Sequence, residues 1–483
     1  MFWYKNGVKK LFLIYFIVQC FTFFSETTMS NKGAGWDGER YLTISKYGIV
    51  DLENRSSNWH VIQSYVPIVF YNIGIKLFGI PKHSSVVVKT MKIYTFILNI
   101  LIFIFLYLIL KRFTINTYTQ IIVLIFYLFN YSILKWQNFD PVGRETTSVF
   151  LFLLGYWSFL KGFRFIYFTA VLLLFFNHII VSFGLVLIGI LIPINSNIII
   201  LNNNAVVVFI KKINLFLITY SRKLASLLLV FFIIICVISY GSIYKFTLNN
   251  LLYGIKPIYK CEFGVIFTYL SNTFYVFLII WYFIITVNKN PHTYLMLKEY
   301  KLFILLFILI IIDILGQLYY QGSIEQLTIS GLIAGLGIKP FEYVFSHLFY
   351  WGLIFYFLVF YMRRIISLAS ELSNFYAIFV CLILFSCCII AETRQIHAVL
   401  FLLLPVLLKF VDNSKIKYMN ITTLLALNLL FSRFYLNLNE NETMYFATPG
   451  YFNSNVGYLL KIIVSVIFIF IGSLFLFYEN RRI

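Results

Sequence analysis

Asp37, Glu39 and Arg40 fall within one short stretch of a chain in which only 12% of residues are charged. The stretch reads Gly35-Trp36-Asp37-Gly38-Glu39-Arg40-Tyr41-Leu42-Thr43-Ile44-Ser45-Lys46-Tyr47-Gly48. Gly38 lets the backbone turn tightly beside Asp37, and Trp36 belongs to a residue type that anchors at membrane interfaces. A second cluster, Asn138-Phe139-Asp140-Pro141-Val142-Gly143-Arg144-Glu145, puts two acids and an arginine into one turn. A third, Glu392-Thr393-Arg394 with His397, is lodged between two apolar runs with almost no loop. A charged break of that kind is costly in a membrane unless it lines a polar cavity.

These residue types suit one kind of chemistry. A carboxylate takes a proton from an attacking hydroxyl, and a cation clamps an anionic leaving group. Asp37, Glu39 and Asp140 are the candidate acids and bases. Arg40, Arg144 and Arg394 are the candidate phosphate ligands, since guanidinium matches phosphate geometry. Tyr41, His178, Glu392 and His397 complete the candidate substrate-binding set. His178 interrupts an apolar run, where a packed, hydrogen-bonded histidine is the commoner outcome. No residues are assigned to a metal, and a divalent ion is left open. Glycosyl transfer from a lipid phosphate fits: a hydroxyl attacks the anomeric carbon, the lipid phosphate leaves, and the lipid tail needs a groove between helices.

The elements that must position these residues are membrane helices. The chain has 483 residues, 61% of them hydrophobic and 20% aromatic. Its mean hydropathy is +0.89. Ordinary globular domains are about 45–50% apolar. Apolar runs of about 20 residues recur along the whole length, which predicts an all-α polytopic membrane protein with no soluble domain. The net charge of +20 is dispersed over helix ends and short loops. That pattern excludes a nucleic-acid partner and suits membrane topology and anionic lipid surfaces. Cys20, Cys236, Cys261, Cys381, Cys387 and Cys388 make no metal-ligand spacing and read as small apolar residues.

The first run, 11–24, follows Lys5, Lys9 and Lys10, and no small-residue cleavage site comes after it. It reads as an uncleaved first helix with a cytoplasmic N-terminus. Residues 26–84 then lie outside; their apolar run over 61–80 contains Pro67, Asn72, Gly74 and Lys76 and so reads as an amphipathic helix along the outer surface, with a membrane span as the alternative. Further spans are expected over 86–110, 118–134, 146–160, 224–242, 265–286, 302–320, 341–362, 375–391, 398–411, 421–434 and 458–478. Basic pairs such as Lys111-Arg112, Arg363-Arg364 and Arg481-Arg482 mark their inner ends. Residues 165–193 read as a short hairpin with Asn177-His178 at its tip, because a single span would put Lys211, Lys212, Arg222 and Lys223 outside. The total is about fourteen spans (about eleven at the low end), with both termini cytoplasmic. A polar seam at 195–204 separates an N-terminal module, 1–193, from C-terminal helices, 205–483.

On these residues the chain resembles the GT-C superfamily, integral membrane glycosyltransferases that use polyprenyl-phosphate sugars. The resemblance runs through Asp37-Gly38-Glu39-Arg40-Tyr41-Leu42-Thr43-Ile44-Ser45, then Tyr65-Val66-Pro67 and Leu77-Phe78-Gly79. Asp140-Pro141 resembles the family's second acidic turn, and Glu392-Thr393-Arg394 followed by Pro405 a late turn of bacterial members. The resemblance is strongest over 8–165. It implies that Asp37 is the catalytic acid of the first outer loop. It also implies a lipid-linked sugar donor, a glycan, lipid or protein acceptor, and a bacterial cytoplasmic membrane with the site on its outer face. A transporter or flippase of lipid-linked glycans, or a polymerase of them, is the alternative.

Overall fold

The computed structural model describes residues 6–24, 79, 84–114, 116–134, 145–191, 305–312, 315, 347–348, 350–372, 374–389, 399–414, 416, 419–432 and a few positions within 463–474. Among the described residues every regular element is helical. Two helices among these residues are long and apolar enough to cross a membrane. They are Gly7–Phe24 and Val86–Phe113, with mean hydropathies of 1.5 and 2.6. A bent pair, Leu353–Phe360 with Met362–Leu372, makes a third if it is taken as one span. The described part is therefore a helical membrane protein, and the count of about fourteen spans reaches beyond it.

Helix α1 is Gly7–Phe24 and α2 is Ser84–Phe113. They pack antiparallel through aromatic rings, Phe12 against Phe103 at 5.1 Å and Phe23 against Phe96 at 5.2 Å. Helix α3, Thr117–Leu128, starts from Asn116, whose side chain accepts from the Tyr118 N–H. That side chain satisfies one of the free donors of the first turn. Every residue of α3 from Thr119 to Leu128 is buried, so this helix is the axis of the bundle. It packs against α1, α2 and three helices from the far end of the chain. Those are α8 (Leu353–Phe360), α11 (Leu404–Asp412) and α12 (Ile421–Ser432).

Sequence predicts one span over 118–134, but the structure breaks it. Helix α4, Tyr131–Leu134, is separated from α3 by Phe129 and Asn130. The cause is polar. Asn428 of α12 donates from Nδ2 to the carbonyls of Ile125 and Phe129, both at 2.9 Å. Asn130 Oδ1 then accepts from the Ile133 N–H at 2.9 Å and starts the new turn. Buried carbonyls in a membrane interior need such partners.

Helix α5, Glu145–Lys161, runs parallel to α2, with Tyr94 against Thr147 at 3.2 Å near their starts and Phe113 against Tyr156 at 6.0 Å near their ends. Helices α6, Arg164–Phe175, and α7, Ile179–Leu191, form the expected hairpin. Tyr167 Oη donates to the Leu185 carbonyl at 3.2 Å, and Ser182 Oγ to the Val171 carbonyl at 2.9 Å. Those two pairs fix the antiparallel register around Asn177-His178. Gly155 of α5 seats the hairpin closely; a Cβ there would lie 2.4 Å from Leu185 Cδ2 and 3.1 Å from Ala170 Cβ.

The expected span over 341–362 differs too. Helix α8 begins after Gly352, held at φ +59°. It turns by 85° into α9, Met362–Leu372. Helix α9 is amphipathic, burying Met362, Ile365, Ile366, Leu368 and Ala369, with Arg363 and Arg364 exposed. Helix α10, Asn374–Ile389, follows. The run at 398–411 is not one α-helix. It opens with a 3-10 turn, Val399–Leu403, before α11. Pro405 in the first turn of α11 lacks an N–H and cannot continue a preceding α-helix.

Candidate functional site

One end of the bundle carries a small open crevice. Its polar lining is Asn99 of α2 and Glu145 and Thr146 of α5. Its apolar lining is Ile102, Leu128, Ile133, Val149 and Phe401, from α2, α3, α4, α5 and the 3-10 turn. The crevice is thus a meeting point of four consecutive helices, α2 to α5, with the 3-10 turn from the far end of the chain.

Each polar wall is held by a buried hydrogen bond. Asn99 Nδ2 donates to Gln19 Oε1 of α1 at 3.1 Å. Tyr15 Oη reaches the Asn99 carbonyl at 3.5 Å. The first turn of α5 is fixed twice: Tyr94 and Thr147 share a hydrogen bond at 3.2 Å, and Asn177 Nδ2 donates to Ser148 Oγ at 2.8 Å. Glu145 opens that turn, where the exposed N–H groups and the helix dipole favour an acid. The Phe401 wall is held by Tyr127. Its ring stacks on Phe401 at 4.6 Å, and its hydroxyl donates to the Leu400 carbonyl at 2.8 Å. On the far side Tyr376 Oη donates to the Leu402 carbonyl. Two carbonyls of the irregular turn are therefore satisfied inside the bundle.

The crevice lies where three polar segments of the chain begin or end. Helix α1 ends at Phe24, just after Phe23 packs on Phe96 and Lys92 of α2, and residues 25–83 lead from it back to α2. Ile133 and Glu145 both line the crevice, and the stretch between α4 and α5 carries Asp140 and Arg144. Phe401 lines it as well, four residues after His397. Asp37, Glu39, Arg40, Tyr41, Asp140, Arg144, Glu392, Arg394 and His397 themselves lie outside the described residues. The anchor points of their segments do not, and all three reach this one end.

His178 is described. It is 6% exposed at the hairpin tip, next to Asn177, and is not among the residues lining the crevice. Among the described residues no group of three His, Cys, Asp or Glu side chains could hold a metal ion. Cys20 and Cys381 are free thiols.

The chain matches no protein-family model, no curated protein and no solved structure. Its site is therefore read from its own residues.

The structure adds Glu145, Asn99 and Gln19 to the residues worth testing. Glu145 is visible in the sequence as the last acid of the Asp140 cluster. Asn99 and Gln19 are visible only as polar breaks inside apolar runs, and nothing local pairs them across 80 residues. Chemically, the crevice offers one carboxylate and one carboxamide above apolar walls. That set accepts a hydrogen bond from a hydroxyl.

Proposed function

We propose that the chain is a membrane glycosyltransferase of the GT-C type. It moves a sugar from a polyprenyl-phosphate donor to a glycan, lipid or protein acceptor at the crevice end. The full bundle holds about fourteen spans. The observation that carries this reading is the anchoring of the Asp37, Asp140 and Glu392 segments at one end, around a crevice that contributes Glu145.

In this reading the acceptor O–H attacks the anomeric carbon as the bond from that carbon to the phosphate oxygen breaks. Asp37 takes the proton, with Glu39 beside it and Asp140 orienting the acceptor. Arg40, Arg144 and Arg394 hold the departing polyprenyl phosphate, and Tyr41, Glu392 and His397 border the substrates. Glu145 and Asn99 hold the acceptor hydroxyl in the crevice.

Charge asymmetry supports the orientation. Lys9, Lys10, Lys111, Arg112, Lys161, Arg164, Arg363, Arg364 and Lys409 lie toward the end opposite the crevice, against Lys89 and Lys92 near it. Basic ends face the cytoplasm, so the crevice faces the outside. The test is transfer by the purified full chain from a panel of polyprenyl-phosphate sugars. Transfer from at least one donor is expected. No transfer from any donor, with measurable translocation of the lipid, would establish a flippase instead.

A further inference from the structure

The end opposite the crevice carries a basic surface. Lys111 and Arg112 close α2, Lys161 closes α5, Arg164 opens α6, and Arg363 and Arg364 open α9; all six are exposed. The described acids at this end are Glu371 and Asp412, and both are engaged by neighbours. Glu371 lies 2.6 Å from Lys409 Nζ. Asp412 accepts from Thr119 Oγ1, and from Asn116 Nδ2 and Thr114 Oγ1 at 3.5 Å.

These contacts gather the cations into one corner. Thr114 and Asn116, just after Lys111-Arg112, reach Asp412. Arg364 donates to the carbonyl of the next residue, Asn413, and lies 5.9 Å above the Phe410 ring. The ends of α2 and α9 therefore meet on either side of Asp412-Asn413. Two features set the depth of this corner. Helix α9 leaves the direction of α8 by 85°, with its apolar side buried and Arg363 and Arg364 outward, as a helix lying in the interface plane does. At the same end the turn Lys161-Gly162-Phe163-Arg164-Phe165 leaves Phe165 83% and Phe163 48% exposed beside its cations. Exposed rings next to Lys and Arg are typical of the membrane interface.

We infer that this corner binds the phosphate headgroups of anionic phospholipids, with Lys111, Arg112 and Arg363 as the contact charges. Guanidinium takes phosphate oxygens in pairs, and lysine adds a point charge. Arg364 is committed to the Asn413 carbonyl and serves to fix α9. The inference is independent of any catalytic reading, since it uses the opposite end of the bundle.

The test uses the full chain, purified in neutral detergent. It is relipidated with equal amounts of phosphatidylglycerol and phosphatidylcholine of matched acyl chains. Retained lipid is counted by native mass spectrometry. A preference for phosphatidylglycerol of about fivefold or more is expected, since each basic residue near an anionic surface contributes about that factor. The triple variant Lys111→Gln, Arg112→Gln, Arg363→Gln loses the preference. The charge-keeping variant Lys111→Arg, Arg112→Lys, Arg363→Lys retains most of it. If the triple variant fails to fold, Arg363→Gln alone lowers the preference by about fivefold. Equal retention of both lipids by the wild type overturns the inference, as does a preference untouched by the Gln variants. Displacement of phosphatidylglycerol by inorganic phosphate also overturns it, because the corner would then be a simple anion site.

Discussion

Asn428 Oδ1 stands 2.5 Å from the point where a Cβ on Gly352 would sit, and accepts the Leu353 N–H at 2.9 Å. One carboxamide thus caps the start of α8 with its oxygen and ties down the end of α3 with its nitrogen. Gly352→Ala drives a methyl into that oxygen and forces an L side chain to φ +59°. A loss of about 1–3 kcal/mol is expected. Asn428→Leu strands the Phe129 carbonyl and the Leu353 N–H, at a similar cost. Because both changes break one junction, the double variant loses less than the sum of the two. Thermal unfolding in detergent reads all three, and strict additivity would mean that the two sites do not communicate.

Two glycines contrast in the hairpin packing. Gly155→Ala meets Ala170 Cβ at 3.1 Å as well as the Leu185 tip, whereas Gly184→Ala makes only ordinary contacts at 3.6 Å. Overpacking costs about 1–3 kcal/mol. A lowered melting temperature is expected for Gly155→Ala and almost none for Gly184→Ala. Equal effects would show that α5 does not press on the hairpin as described.

Orientation is tested by labelling in cells, in a background without native cysteines. Asn413→Cys, exposed at the basic end, labels only from the cytoplasm under the positive-inside tendency. Ser56→Cys, in the long segment between α1 and α2, labels only from outside. Labelling of both from the same side would break the proposed topology.

Glu145 is tested against Glu371, an acid at the opposite end. Glu145→Gln keeps the shape of the crevice wall and removes the charge-assisted hydrogen bond to an acceptor hydroxyl. Such bonds contribute about 1.5–3 kcal/mol, so transfer falls about 10–100-fold. Glu371→Gln loses only its exposed pair with Lys409 and leaves transfer near normal. Rates that fall equally in both variants would remove the crevice from the mechanism.

Much of the helical plan is legible in the sequence, for a simple reason. A membrane span must be apolar and its ends carry charge, so the ends of α1, α2 and α5 fall within a few residues of the apolar runs. The 176–178 turn is legible because Asn177-His178 interrupts a run and because the downstream lysines and arginines require a reversal. The interruptions at Phe129-Asn130, Gly352 and Tyr361 are less visible. The first depends on Asn428 reaching across about 300 residues and the second on the same side chain from 75 residues away, and composition encodes neither contact. Pro405 could have signalled the irregular start of α11. The acids of the candidate site stand out as charges in an apolar chain. The crevice beside them does not, because Asn99, Ile133, Glu145 and Phe401 meet only after folding.

The central claim is that Asp37 takes the acceptor proton in sugar transfer. The measurement is turnover of polyprenyl-phosphate sugar by full-length Asp37→Asn at matched expression, with Glu53→Gln as the control acid between the same two helices. Asn keeps size and hydrogen bonding but cannot accept the proton. A fall of about 10²–10⁴-fold for Asp37→Asn, with Glu53→Gln near wild type, is the predicted result. Near-normal turnover by both variants, or equal loss by both, would contradict the account and move the search to Asp140 and Glu392.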